Sequence, residues 1–179
     1  MFNNIIFRKG KIMTATLHLA TGAASALFVQ KYFPVKRNWI ENAPKNFLFT
    51  ADFINLNCVF VFFAGLLSHI FFDSFSHTEY SLQGQALMLL LCLEGFVTSL
   101  LVLFGQNSAR FWLLVWGMIG AALPDALHFA GEYFNFEWFR IVHSLLHVYH
   151  GTIDLVLVGH FSEMVLVAVS IIYIRVQSA

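Results

Sequence analysis

Long apolar stretches constrain this chain more than any other feature of its sequence. Hydrocarbon offers the backbone no water, so a segment that crosses a membrane needs a helix of about 20 mostly apolar residues. Residues 56–75, 85–104 and 111–130 each meet this requirement. The chain is 59% hydrophobic and 11% charged, whereas soluble domains are about 25% charged. The sequence therefore predicts an integral membrane protein whose main partner is the lipid bilayer.

Three further segments complete the predicted architecture. Residues 14–32 are rich in small side chains, which favour close helix contact in lipid. Residues 152–175 are long enough to cross the membrane. Residues 139–149 have a helical period but are too short to cross, so we expect an interfacial helix there. We predict one all-α domain over residues 1–179, an integral membrane helical bundle of about four to five transmembrane helices plus this short interfacial helix.

Charge and cysteine usage argue against other classes of protein. The formal net charge is +0, so no basic surface attracts nucleic acid. Cys58 and Cys92 both lie inside apolar stretches, which is not the pattern of a disulfide framework. We expect no nucleic-acid partner and no redox role for the two thiols.

The first residues of the chain resemble the basic start of a signal peptide. Basic side chains at positions 8, 9 and 11 precede an apolar stretch. That stretch contains His18 and has no convincing cleavage site, so we expect it to be retained. Met1 and Met13 are both acceptable starting residues.

Histidine and acidic residues occur in four groups at the ends of the predicted helices. If five helices cross the membrane alternately, all four groups lie on one membrane face. The groups are His18 in the first helix, residues 69–77 at the end of the second, Asp125 and His128 at the end of the fourth, and residues 143–150 before the last. The alternation thus predicts one polar cluster at a single end of the bundle.

The spacing within each group suits metal binding. Residues three or four apart share a helix face, so their side chains can reach one ion or two adjacent ions. Glu79 is a possible further ligand or an acceptor for a ligand's proton. Pro124 precedes Asp125 and can loosen the backbone there. The candidate metal ligands are His18, His69, Asp73, His77, Asp125, His128, His143, His147 and His150.

The chemistry of these ligands indicates a divalent metal. Ionisable groups beside lipid are costly, so helix packing alone explains such a cluster poorly. Imidazole with carboxylate and no thiolate suits zinc, manganese or iron, and the number of ligands suggests two or more ions. For Glu94, and for His160 with Glu163, we favour polar contacts that hold helices together.

Short motifs in the chain also resemble the family of membrane-bound metal-dependent hydrolases, which is similar in turn to zinc-dependent phospholipase C. They are His18-(x3)-Gly22, Gly65-Leu66-Leu67-Ser68-His69-(x3)-Asp73-(x3)-His77, Leu123-Pro124-Asp125-(x2)-His128 and His143-Ser144-Leu145-(x1)-His147. The chain departs from the family pattern at Leu127, where many members carry a second acidic residue. The resemblance implies a hydrolase of phosphoester or lipid-derived substrates.

The leading hypothesis is therefore a metal-dependent hydrolase of a small amphiphilic or lipid substrate, with zinc the first choice of metal. Glu79 or Asp125 would serve as the catalytic carboxylate. The alternatives are a non-catalytic metal-ion carrier or sensor, a haem-binding membrane protein, and a scaffold descended from a hydrolase that binds no metal.

Basic residues predict the orientation in the membrane. Those on the face opposite the histidines are Lys31, Lys36, Arg37, Lys45, Arg110 and Arg175. The positive-inside rule then places the histidines on the non-cytoplasmic face of a plasma or inner membrane. The basic residues at positions 8, 9 and 11 argue for the opposite orientation.

Overall fold

The described part of the chain is entirely helical. The computed structural model of the protein describes residues 15–33, 56–73, 84–146 and 156–178. Regular structure within these residues consists of six helices, which confirms the all-α prediction. They are α1 (Ala15–Tyr32), α2 (Leu56–Asp73), α3 (Gly84–Leu103), α4 (Ser108–Phe134), α5 (Glu137–Leu146) and α6 (Val156–Ser178).

Three described helices, rather than four or five, are long and apolar enough by themselves to cross a membrane. They contain the stretches Gln85–Leu103, Arg110–Gly131 and His160–Gln177. In α2 the apolar stretch Asn57–Asp73 is shorter, and at 1.5 Å per residue it extends about 26 Å against a hydrocarbon core of about 30 Å. Fewer than the predicted four to five helices meet this criterion, because α1 contains polar residues such as His18, Gln30 and Lys31, and residues 74 and 75 of the predicted second segment lie outside the described residues.

Helix α1 lies at the centre of the bundle and contacts α2, α3, α4 and α6. Its small side chains Ala20, Ala23 and Ala26 are fully buried. In contrast, most of the apolar surface of α3 and α6 is exposed, including Leu89 and Phe161. Exposed apolar surface of this extent is typical of helices that face lipid.

The contacts of α1 define the helix directions. The amide of Ala15 donates to Glu94 in α3, and Leu19 packs beside Gly95 of the same helix. Arg175 of α6 donates to the Leu101 carbonyl at the end of α3, 2.6 Å away. Ala23 and Leu27 of α1 share an apolar cluster with Val102 of α3 and Ile174 of α6, so these three helices run in one direction. Helices α2 and α4 are antiparallel to α1, because His18 contacts their later residues and Ala26 contacts their earlier ones.

Small residues bring α1, α2 and α4 into backbone contact. A Cβ added to Gly22 of α1 would lie 2.6 Å from the Gly117 carbonyl oxygen of α4. A Cβ added to Gly117 would in turn lie 2.7 Å from the Ala26 side chain. On α2, Gly65 approaches the Gly117 carbonyl just as closely. Such contacts are typical of membrane helices, where packing replaces the hydrophobic effect as the force between helices.

A tight turn joins α4 to α5. Asn135 adopts the left-handed conformation, with φ 56°, and its amide donates to the Gly131 carbonyl. Helix α5 then begins at Glu137, two residues before the segment predicted from the sequence, and packs against α4. The structure therefore has a helix where the interfacial helix was predicted. Residues 147–149 of the predicted segment lie outside the described residues.

Candidate metal centre

Two histidines and one aspartate from α1 and α2 converge inside the bundle. One carboxylate oxygen of Asp73, Oδ2, lies 3.0 Å from His69 Nε2, and the other, Oδ1, lies 3.3 Å from His18 Nε2. One ligand atom from each of the three residues lies within 4.8 Å of the others. We refer to His18, His69 and Asp73 as the triad.

All three triad side chains are buried. The exposed fraction is 1% for His18 and 0% for both His69 and Asp73. The imidazole rings of the two histidines lie 4.1 Å apart between centroids, at 31° to one another. Their Nε2 atoms and the carboxylate thus face a common volume that excludes solvent.

The helical period and the position of α1 explain why these residues meet. His69 and Asp73 are four residues apart and share one face of α2. His18 is buried because α1 is the central helix. Neighbouring buried hydroxyl groups bond within their own helices, Ser68 to the Gly65 carbonyl and Thr21 to the Leu17 carbonyl. These hydroxyls consequently do not compete for the triad.

Asp125 of α4 lies at the more open side of the triad. Its Oδ2 is 3.7 Å from His18 Nε2. The side chain of Asp125 is 18% exposed, against 1% for that of Asp73. Asp125 therefore lies within reach of a ligand or water bound at the triad. Its partial exposure places it on the side from which a small molecule would enter.

The other predicted ligands are not part of this group in the described structure. His128 lies one turn beyond Asp125 on α4, is half-buried and packs edge-on against Phe129. His143 is in α5, but its side chain lies outside what the structure describes. His77, Glu79, His147 and His150 also lie outside the described residues. The described residues thus bring together ligands for one ion, and a second ion remains a prediction.

Glu94 and Glu163 are further carboxylates of the described bundle that do not belong to the triad. Glu94 accepts a hydrogen bond of 3.1 Å from the Ala15 amide, in the first turn of α1. Glu163 of α6 is 5% exposed and lies 3.8 Å from His160 of its own helix. The predicted role of Glu94 as a contact between helices is confirmed, and a carboxylate at a helix N-terminus is electrostatically favourable.

The donor set of the triad suits a divalent ion with an open coordination position. Two imidazoles and one carboxylate form the ligand set of several catalytic zinc sites and of non-haem iron(II) sites, both of which keep positions free for water or substrate. Without an ion, the same carboxylate can accept hydrogen bonds from both imidazoles, which would satisfy it as a packing contact. Metal binding and helix packing thus use the same three side chains.

Two features of the site were not predicted from the sequence. His18 was predicted as a ligand, but not as the residue that connects α1 with both Asp73 and Asp125. The pairing of small residues in α4 with those of α1 was not predicted. The spacing of Gly22 and Ala26, repeated in Gly117 and Ala121, could have predicted this pairing, because small residues four apart are typical of close helix contact in membranes.

Comparison with known proteins gives no match among protein-family models, curated proteins or solved structures. The resemblance to membrane-bound hydrolases stays a prediction.

Proposed function

We propose that the protein is an integral membrane metal-dependent hydrolase whose ion is held by the triad. In this proposal α1 and α2 cross the membrane together with α3, α4 and α6, which makes five crossings. The alternating directions of the first four helices support this topology. The exposed apolar surfaces of α3 and α6 supply the contact with lipid.

The observation that carries the proposal is the burial of two imidazoles and one carboxylate around a common volume, with a second carboxylate at its open side. A chain that needed only helix packing would gain more from apolar residues, because desolvation of buried ionisable groups offsets much of their attraction. Keeping three such groups together is better explained by a ligand that all three bind.

The described residues can supply both the metal ligands and the general base that ester hydrolysis needs. A divalent ion in such a site activates water and polarises an ester oxygen. Asp125 would take the proton of the attacking water and return it to the oxygen of the leaving alkoxide. His18 would bind the ion through Nε2, and the 3.7 Å between this atom and the Asp125 carboxylate would keep Asp125 within reach of a water on the ion. Zinc is the first candidate, and manganese and iron fit the same donors.

A metal-ion carrier is the second candidate function, favoured by Glu94 and Glu163. These carboxylates lie in two helices that are long and apolar enough to cross the membrane. Ionisable residues inside transmembrane helices often mark an ion pathway. A carrier would move the ion across proteoliposomes and leave esters intact, whereas a hydrolase would retain the ion and turn over ester.

Metal analysis of the purified protein tests the proposal. We expect about one zinc ion per chain in the wild type and almost none in Asp73→Ala, because this change removes the carboxylate that both histidines face. Asp125→Asn should keep the ion and lose about 100-fold or more in the rate of ester hydrolysis, the scale of a general base.

Glu163→Gln is the matched control, because it alters another buried carboxylate that lies outside the triad. Its zinc content should equal that of the wild type. If Asp73→Ala and Asp125→Asn both retained wild-type zinc content and wild-type hydrolysis, the proposal would be wrong.

A further inference from the structure

The depth of the triad can be measured along α4. The apolar stretch Arg110–Gly131 has its midpoint between Gly120 and Ala121. Asp125 lies four to five residues beyond this midpoint, or about 7 Å at 1.5 Å per residue. Because Gly22 packs against Ala121 and His18 lies one turn earlier on α1, His18 has a similar depth.

Helix α3 gives an independent measure of the same depth. The midpoint of its apolar stretch, Gln85–Leu103, is Glu94. Glu94 accepts the Ala15 amide, and His18 follows Ala15 by three residues, about 4.5 Å along the helix axis. Helix α4 places His18 about 7 Å to one side of the midpoint and α3 places it about 4.5 Å to the other side, so both place it within about 7 Å of the middle.

A hydrocarbon core about 30 Å thick extends about 15 Å from its middle to its surface. His18 is thus at least about 8 Å below that surface, and the ligand atoms of His69 and Asp73 lie within 4.8 Å of its own. A water-soluble substrate would have to leave water to reach this depth. A molecule dissolved in the bilayer already occupies it.

The charge of the substrate follows from the same depth. A phosphate anion loses its hydration when it enters a low-dielectric region, whereas a neutral carboxylic ester has no charge to desolvate. The carboxylates of Asp73 and Asp125 would balance the charge of a divalent ion, so the site has no net positive charge to offset this desolvation.

We infer that the triad is an intramembrane metal centre and that its substrate is a neutral, long-chain carboxylic ester that enters from the lipid. This inference rests on the proposed hydrolase function and selects carboxylic esters, rather than phosphoesters, as its substrates. Water adds to the ester carbonyl carbon and gives its proton to Asp125. The bond to the alkoxide oxygen then breaks, and the proton passes to that oxygen. The products are a carboxylic acid and an alcohol.

Nitroxide relaxation caused by bound Co²⁺ tests the depth of the metal centre in the bilayer. The full chain is reconstituted with Co²⁺ in phosphatidylcholine vesicles that carry a nitroxide either on the headgroup or midway along an acyl chain. Bound Co²⁺ should enhance the relaxation of the acyl-chain nitroxide more than that of the headgroup nitroxide. Asp73→Ala, treated identically, provides the background from unbound Co²⁺. A larger effect at the headgroup would overturn the depth and leave the hydrolase proposal in place, whereas loss of Co²⁺ binding by the wild type would overturn both.

Three chromogenic compounds test the substrate class in the same vesicles. p-Nitrophenyl palmitate is neutral and dissolves in lipid, p-nitrophenyl acetate is neutral and water-soluble, and hexadecyl p-nitrophenyl phosphate is an anion that dissolves in lipid. After subtraction of the Asp73→Ala rate, we expect kcat/KM for the palmitate to exceed the other two by about tenfold or more. Faster cleavage of the phosphate would support the hydrolase and overturn the neutral substrate. Equal rates for acetate and palmitate would overturn entry from the lipid.

Discussion

At the scale of single residues, the site depends on which histidines share a carboxylate. His18 and His69 both face Asp73, whereas His128 lies on α4 outside the triad. Sequence spacing did not separate these roles, because His128 is three residues from Asp125 just as His69 is four from Asp73. Spacing shows which side chains share a face of one helix, but not which face meets another helix.

His18→Gln and His128→Gln form a matched pair that tests this difference. We expect His18→Gln to weaken zinc binding by about 100-fold or more, since loss of a direct ligand should exceed the 10 to 100-fold effect of an outer contact. His128→Gln should bind zinc as the wild type does. Competition with a chromogenic zinc chelator measures both affinities.

The same pair can contradict the structure. If His128→Gln lost zinc and His18→Gln kept it, the ligand set would centre on α4, and the triad would be a packing contact. Folding of each variant is checked by size-exclusion chromatography in detergent, so that loss of zinc is not confused with loss of structure.

At the scale of helices, the position of the triad depends on the close contact between α1 and α4. Gly117 has no room for a side chain, because an added Cβ would lie 2.5 Å from the Gly22 carbonyl oxygen. At Gly95, on α3, an added Cβ would meet only the Leu19 side chain at 3.7 Å, an ordinary contact distance. These two glycines therefore have different roles although both lie inside apolar helices.

We predict that Gly117→Ala destabilises the folded protein by about 1–3 kcal/mol, the usual cost of overpacking. Gly95→Ala should be neutral or should stabilise the helix by up to about 1 kcal/mol, since alanine has the higher helix propensity. Thermal unfolding in detergent micelles gives the comparison. Equal melting temperatures for the two variants would show that α1 and α4 do not meet at Gly117.

At the scale of the whole molecule, α4 connects the two ends of the bundle. The turn before it contains Gln106, beside the end of α3 where Arg175 is bonded. The turn after it leads to Glu137 at the start of α5. If the bundle crosses a membrane, these two positions lie on opposite faces.

Single cysteines at Gln106 and Glu137, in a chain with Cys58→Ala and Cys92→Ala, test this topology. In right-side-out vesicles a membrane-impermeant maleimide should label Glu137→Cys and spare Gln106→Cys until detergent is added, because the positive-inside rule places the Arg110 end in the cytoplasm. The reverse pattern would invert the orientation. Labelling of both positions from outside would contradict a membrane-crossing bundle.

The sequence by itself determined the kind of elements and the kind of chemistry. Hydrocarbon requires each backbone segment to satisfy its own hydrogen bonds, so apolar runs such as residues 85–104 predict helices without knowledge of their neighbours. Alternation of these helices also predicted that His18, His69, Asp73 and Asp125 share one end of the bundle, and the described structure brings them together.

Only the tertiary structure decided which of these side chains meet. That outcome depends on the rotation and axial register of α1 against α2 and α4, which are set by the contacts of Gly22, Gly65 and Gly117. A shift of one residue turns a helix by about 100° and would direct His18 away from Asp73. Such a shift leaves composition and local spacing unchanged, so the physical information that selects the triad exists only where the helices touch.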